Sequence, residues 1–274
     1  MPRDHRHHDL LQTDRDTAEL IAFLTNPASY DPPVDRIETI ETHAARVILA
    51  GTKAYKIKKR IKLPFLDFST LPRRRAALER ELELNRQHAP EIYLGLTAIS
   101  RRPDATLAFG NENPIEVALV MNRFDQTQLL AHIAAEGLLS PDIARELAGM
   151  AARYHRALPP VTGLSGAQIM RDTVDALATS LIADAPPEAE LPAKEFAARS
   201  ARELNRHSAL LDARGEAGLV RRCHGDLHLG NIVLMHGRAI PFDALEFDER
   251  LATIDVLYDI AFLLMDLDVK GDRA

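Results

Sequence analysis

The chain has one cysteine, Cys223, in 274 residues. No intramolecular disulfide can form, and a reducing compartment is expected. The polar segment Met1–Asp16 has no apolar core for a secretion signal, and the apolar run Ile260–Met265 is far too short to cross a bilayer. The expectation is a cytoplasmic protein with no membrane partner. A net charge of −6 gives no general basis for nucleic-acid binding. There is no Gly-x-x-x-x-Gly-Lys-Ser/Thr run, no internal repeat, and no glycine-rich phosphate loop; the hairpin near residue 50 offers only Gly51.

The composition, 46% hydrophobic and 27% charged, is that of an ordinary globular protein, long enough for one large domain or two lobes. Charge is unevenly placed. Arg46–Arg75 holds ten Lys/Arg and one acid, Asp67, whereas residues 241–274 hold nine acids and three bases. Cationic groups for phosphates and carboxylates for a metal would suit Mg²⁺-nucleotide, although two solvated faces would look the same.

Three segments are expected. Residues 1–34 form a polar N-terminal segment, expected to be mobile over Met1–Asp16 with His5, His7 and His8, then a short helix at Thr17–Leu24 and a loop at Asp31-Pro32-Pro33. Residues 35–121 are strand-rich, with a hairpin at Ala45–Ala50 and Ala54–Lys58 and further strands at Ile92–Ser100, Ala105–Phe109 and Ile115–Met121. A helix at Arg73–His88, rich in Ala, Leu, Glu and Arg, interrupts them. Residues 122–274 are mainly helical, with helices at Thr127–Glu136, Ser140–Leu158, Ala167–Ile182, Ala193–Arg214 and Ala252–Leu267.

The segment His224-Gly225-Asp226-Leu227-His228-Leu229-Gly230-Asn231, with Asp243 twelve residues on, is the most specific signal. Phosphoryl-transfer sites use such an acid–amide–acid set: Asp226 to accept a hydroxyl proton, Asn231 and Asp243 to ligate Mg²⁺. Ile232–Met235 reads as a buried strand and Arg238–Phe242 as its partner, with His236-Gly237 as the turn, so both ligands flank one hairpin.

On the strand 54–58, Ala54, Lys56 and Lys58 share a face. The small Ala54 leaves room for a flat base beside Lys56, favouring Lys56 over Lys58 for phosphates, though a basic edge strand would also carry lysines. An acid should hold such a lysine extended. Glu79, Glu81 and Glu83 all lie on the helix 73–88, where Leu78, Leu82 and Asn85 define a stripe, and Glu81 is chosen. Asp259, mid-helix among apolar residues, must be paired if buried; it is read as bracing the loop, as is His224. His224, Asp226, His228 and His236 also admit a zinc-hydrolase reading, which leaves Asn231 and Asp243 unused.

These motifs resemble the aminoglycoside phosphotransferase/choline kinase group. More narrowly, Ala54–Lys59, Phe65–Leu71, Glu81–Arg86, Ala89–Leu94 and Tyr258–Leu267 resemble a bacterial subgroup of unknown substrate, many of whose members carry a C-terminal P-loop ATPase domain; that domain is absent from this chain. The resemblance spans about residues 35–270. It implies an α+β, two-lobed protein-kinase-like fold, with a strand-rich N-lobe and a mainly helical C-lobe that is truncated at the C-terminus. It further implies ATP and Mg²⁺ as cofactors and a small hydroxylated acceptor. Asp226 would be the catalytic base, Asn231 and Asp243 the Mg²⁺ ligands, and Lys56 the α/β-phosphate residue braced by Glu81. The backbone of Met121–Arg123 would meet adenine. A nucleotide-binding regulatory module with little turnover is the alternative; a metal-dependent hydrolase is a third.

Overall fold

A computed structural model describes residues 15–63 and 66–271. His5, His7 and His8, and with them the expected mobile terminus, lie outside the described residues, as do Pro64 and Phe65. The chain divides into two compact units, residues 1–125 and 126–274. Among the described residues no helix is long and apolar enough to cross a membrane.

The first unit is a six-stranded antiparallel sheet with a helix on each face. Its strands are β1 (Ile37–Glu41), β2 (Ala45–Ala50), β3 (Lys53–Lys58), β6 (Tyr93–Arg101), β7 (Leu107–Phe109) and β8 (Pro114–Asn122), in the order β1-β2-β3-β8-β6-β7. A two-residue β4/β5 pair (Lys62–Leu63, Leu66–Asp67) precedes the second helix. Gly51 starts the β2–β3 turn at φ +57, a conformation glycine takes without a Cβ penalty. Alternation along β3 sends Ile57 to one face, where it meets Leu20 and Leu24 of α1 (residues 15–24) with Ile48, Ile99 and Ala118. Ala54, Lys56 and Lys58 are buried on the other face.

That second face is covered by α2 (Leu71–Arg86), which packs on β8 and β6. Pro72 in its first turn suits a helix start. Its buried residues are Arg74, Leu78, Glu81 and Asn85, at spacings of four, three and four. Leu82, expected on this stripe, is only half-buried. The stripe is turned because its polar members find partners: Arg74 Nε donates to both Glu116 oxygens (2.9 and 3.0 Å), its Nη1 donates to Phe68 O (3.1 Å), and Asn85 Nδ2 donates to Glu81 O (2.9 Å).

The second unit is mainly helical: α3 (Leu130–Ala135), α4 (Pro141–Ala157), α5 (Gly166–Asp184), α6 (Glu190–Glu216), α7 (Glu249–Ala252) and α8 (Val256–Gly271). Ser140 caps α4 by accepting from Ile143 N, with Pro141 in the first turn, as its sequence predicts. Gly166 permits the close α5–α6 contact, since a Cβ there would collide with Leu211 O. Of the two two-stranded pieces in this unit, one is expected from the sequence. β10 (Ile232–Met235) and β11 (Arg238–Pro241) form the predicted hairpin, with His236 and Gly237 both at positive φ. β9 (Val220–Arg222) pairs with β12 (Thr253–Asp255), which interrupts the continuous helix expected over 252–267. The β-branched Thr253 and Ile254 go to this pairing and Ile254 is buried there. The single helix expected over 127–136 is also broken. Leu129 is drawn into a bridge with Val233, leaving a 3-10 turn at Gln126–Gln128 before α3. The core of this unit gathers Leu130, Leu147, Met150, Tyr154, Leu227, Leu229, Ile232 and Leu263.

The Arg74–Glu116 pair has side chains only 2% and 1% exposed. Removing one partner of such a pair strands a buried charge. Arg74→Met should therefore cost about 3–5 kcal/mol in denaturant unfolding, and Arg74→Met/Glu116→Leu much less. Equal losses in the single and double variants would contradict this.

Candidate active site

The His224–Asn231 loop leaves β9 and is fixed from beneath by one carboxylate. Asp259, in the first turn of α8, is fully buried. Its Oδ1 accepts from Gly225 N (2.9 Å), and its Oδ2 accepts from His224 N (3.2 Å) and lies 2.8 Å from His155 Nε2. His155, in the last turn of α4, therefore donates to it. Gly225 sits at φ +81, and a Cβ there would lie 3.1 Å from both Ala252 Cβ and Leu245 Cβ, so the position requires glycine. Leu245 N closes the loop on His224 O at 2.9 Å.

His224 is buried and its Nε2 lies 3.0 Å from Phe242 O. A carbonyl only accepts, so Nε2 carries the proton; Nδ1 is buried without a hydrogen-bond partner. Burial holds this imidazole below its ordinary pKa, in the neutral form. It braces the loop, as its sequence context suggested.

Asp226 itself is half-exposed at the loop's crest. Asn231 Nδ2 donates to Asp226 O (3.0 Å) and to Asp226 Oδ2 (3.2 Å). The amide nitrogen is thereby turned to Asp226, and Oδ1 is the atom directed elsewhere. Asn231 O accepts from Phe242 N at 2.9 Å, which places Asp243 immediately beyond a bond to Asn231. Asp243 holds φ +62, which turns the chain sharply after β11. A carboxylate and an amide oxygen carried on adjoining backbone are hard oxygen donors of the kind Mg²⁺ takes, so the residues fit that ion.

His228 caps the 3-10 turn Leu229–Asn231, its Nδ1 accepting from Gly230 N at 3.0 Å. Its Nε2 is 3.6 Å from Asp226 Oδ2, an ion-pair distance slightly beyond hydrogen-bond reach. The Asp226 carboxylate raises the pKa of His228, and His228 lowers that of Asp226. Leu229 N donates to Asp266 Oδ2 at 2.9 Å, a second buttress from α8.

In the first unit, Lys56 Nζ lies 2.7 Å from Glu81 Oε1, and Lys58 Nζ lies 2.7 Å from Glu81 Oε2. Glu81 is fully buried. Of the three acids weighed on α2, Glu81 is the buried one; Glu79 pairs with Arg75 and Glu83 with Arg80 outside. Both lysines weighed on β3 reach it. At the end of β8, Asn122 N donates to Ile92 O (2.8 Å) and Arg123 N to Thr52 O (2.9 Å), so these two donors belong to the sheet. Antiparallel alternation makes Ala54 and Met121 the next mutually bonded pair. The Arg123 side chain pairs with Glu38 at 3.0 Å.

Asp226 and His228 pair, but His224, Asp226, His228 and His236 do not form a metal-type grouping. Among the described residues the one metal-type grouping is His155, Cys223 and Asp259, all buried, with ligand atoms within 4.8 Å. Hydrogen bonds account for it. Asp259 is committed to three donors, the Cys223 thiol faces Ile254 O at 3.6 Å, and burial pushes that thiol's pKa well up. His155 and Asp266 escaped the sequence reading. A buried Asp259 demanded a partner, but nothing local says that it comes from residue 155.

The chain belongs to the phosphotransferase enzyme family (APH), whose sequence model matches residues 62–274. It is 31% identical over 262 residues to uncharacterized proteins of Mycobacterium tuberculosis and Mycobacterium bovis, covering 90% of this chain and 48% of theirs. It thus spans about half the length of the curated relatives it matches. Among solved structures it is similar to aminoglycoside phosphotransferase APH(4)-Ia, with 12% identity, TM-score 0.49 and coverage of 94% of this chain and 81% of that one. It is also similar to a choline/ethanolamine kinase family protein from Mesorhizobium loti, with 14% identity, TM-score 0.46 and coverage of 87% and 66%.

The His228–Asp226 pair sets a pH dependence. Charging His228 strengthens its pairing with Asp226, a contribution fully present below about 6.5 and lost as pH rises through its raised pKa, while the added proton on Nδ1 gives up the bond from Gly230 N. Asp226 contributes above its ordinary carboxylate value, and that is lost as pH falls through its lowered pKa. A histidine NMR titration should place His228 above its ordinary value, and Asp226→Asn should bring it down; an unmoved His228 would contradict the pairing.

Proposed function

We propose that the chain is an ATP- and Mg²⁺-dependent phosphotransferase that moves the γ-phosphate to a hydroxyl of a small molecule. The observation that carries this is Asp226: a half-exposed carboxylate that directly follows the His224 and Gly225 amides pinned by Asp259, its side chain and carbonyl tied to the Asn231 amide, with Asp243 next in the chain after Phe242, whose N–H bonds Asn231 O. Membership of a phosphotransferase family supports it.

In this reading Asp226 is ionised at neutral pH, since His228 lowers its pKa. It orients the acceptor hydroxyl and takes its proton as the phosphoryl group transfers. The Asn231 amide keeps the carboxylate from turning away. Mg²⁺, held by Asn231 Oδ1 and the Asp243 carboxylate, would supply positive charge for the phosphate oxygens. His224, neutral and buried, holds the carbonyl of the residue before Asp243 and thus the backbone that carries that ligand. Lys56 would take the α- and β-phosphates, held extended by Glu81. The Asn122 and Arg123 N–H groups already donate within the sheet, so the strand end at Met121–Arg123 would meet adenine through a carbonyl oxygen.

The test is turnover of MgATP with a panel of sugars, amino sugars, amino alcohols and aminoglycosides. Transfer to one of them is expected, lost without Mg²⁺ and reduced at least about 100-fold in Asp226→Asn, the scale of a general base. If the nucleotide binds but nothing turns over, the chain is a nucleotide-binding module and the enzymatic reading fails.

A further inference from the structure

Glu81 serves two lysines. Its oxygens are divided between Lys56 Nζ and Lys58 Nζ, each at 2.7 Å, and the three side chains are 0%, 8% and 4% exposed. We propose that Lys58 is a positioning residue for Lys56: by occupying Glu81 Oε2 it fixes the plane of the carboxylate, so that Oε1 holds Lys56 extended. This rests on Lys56 being the phosphate-binding lysine.

A carboxylate bound through one oxygen can still rotate about its last side-chain torsion, which is broad and soft. A second charged hydrogen bond on the other oxygen removes that freedom, and bonds of this type are the strong ones in a buried setting. Lys58 is well placed to act as the fixed partner. It is buried at the end of β3, and its Nζ lies 5.4 Å from the centre of the Phe68 ring, within cation–π range. Phe68 is itself buried, and its carbonyl accepts from Arg74, whose guanidinium is locked to Glu116. The helix beneath is therefore anchored at Arg74, one turn before Leu78 and two before Glu81. Lys56, the more exposed of the two lysines, is the one whose ammonium group such a frame presents.

The experiment compares wild type, Lys58→Met, Lys58→Gln and Lys58→Arg as full chains. Folding is followed by thermal melting, the Lys56 side chain by its ¹³Cε NMR order parameter, and nucleotide affinity by MgADP titration. The neutral variants are expected to fold, to lose Lys56 order without any nucleotide present, and to bind MgADP about tenfold more weakly. Lys58→Arg should restore both within about threefold. The glutamine variant keeps a hydrogen-bond donor, so it is read in the same way should the methionine variant not fold. A folded neutral variant in which Lys56 stays as ordered as in wild type overturns the proposal, even if affinity falls, because that would be direct phosphate contact by Lys58. Wild type that fails to bind MgADP, while Lys56 still loosens in Lys58→Met, removes the phosphate role of Lys56 and leaves the positioning by Lys58 standing.

Discussion

One buried carboxylate, Asp259, organises the second unit. It sits at the start of α8 and receives the His224 and Gly225 amides and the His155 ring. An isolated buried carboxylate would be prohibitively costly, and these three donors compensate for its removal from water. The same bonds set the path of the loop. With His224 and Gly225 held, Leu227 drops into the core with Leu229, and Asp226 between the two fixed stretches is left at the surface. Asn231 then closes on Asp226, and Phe242 on Asn231. Each later contact presupposes the first.

The first unit follows the same principle. Its helix α2 is tied to the sheet by buried charge as well as by apolar packing: Arg74 to Glu116, and Glu81 to Lys56 and Lys58. Such pairs add little net stability compared with apolar replacements, but each is badly destabilised when half is removed. They specify one register of helix on sheet. Both sets of polar residues in the proposed chemistry thus depend on carboxylates that do not themselves react.

Much of this was legible in the sequence. The hairpin 232–241 and its turn were fixed by local pattern, since Ile-Val-Leu-Met is followed by a His-Gly pair able to take positive φ. Lys56, Lys58 and Glu81 could be shortlisted because strand alternation and helix spacing are geometric. Choosing among them was harder, because the α2 stripe is half polar and hydropathy alone places Leu82 on it, where the structure leaves Leu82 half-buried and Glu81 buried. What could not be read were long-range pairings. The helix break at Thr253–Asp255 exists only because β9 is there to pair with, and the Leu129 bridge only because Val233 is. His155 looks like any residue of an amphipathic helix, and it gains its role from Asp259, 104 positions away.

The central claim is that Asp259 positions Asp226 through the His224–Gly225 backbone. Amide hydrogen exchange at His224 and Gly225 in Asp259→Asn tests it most directly, because asparagine keeps the volume but loses the charge and one acceptor. The account predicts that protection of these two amides falls by at least about tenfold while the hairpin 232–241 stays protected, since bonds to a charged acceptor contribute about 1.5–3 kcal/mol. Unchanged protection at His224 and Gly225 in the folded variant would contradict it.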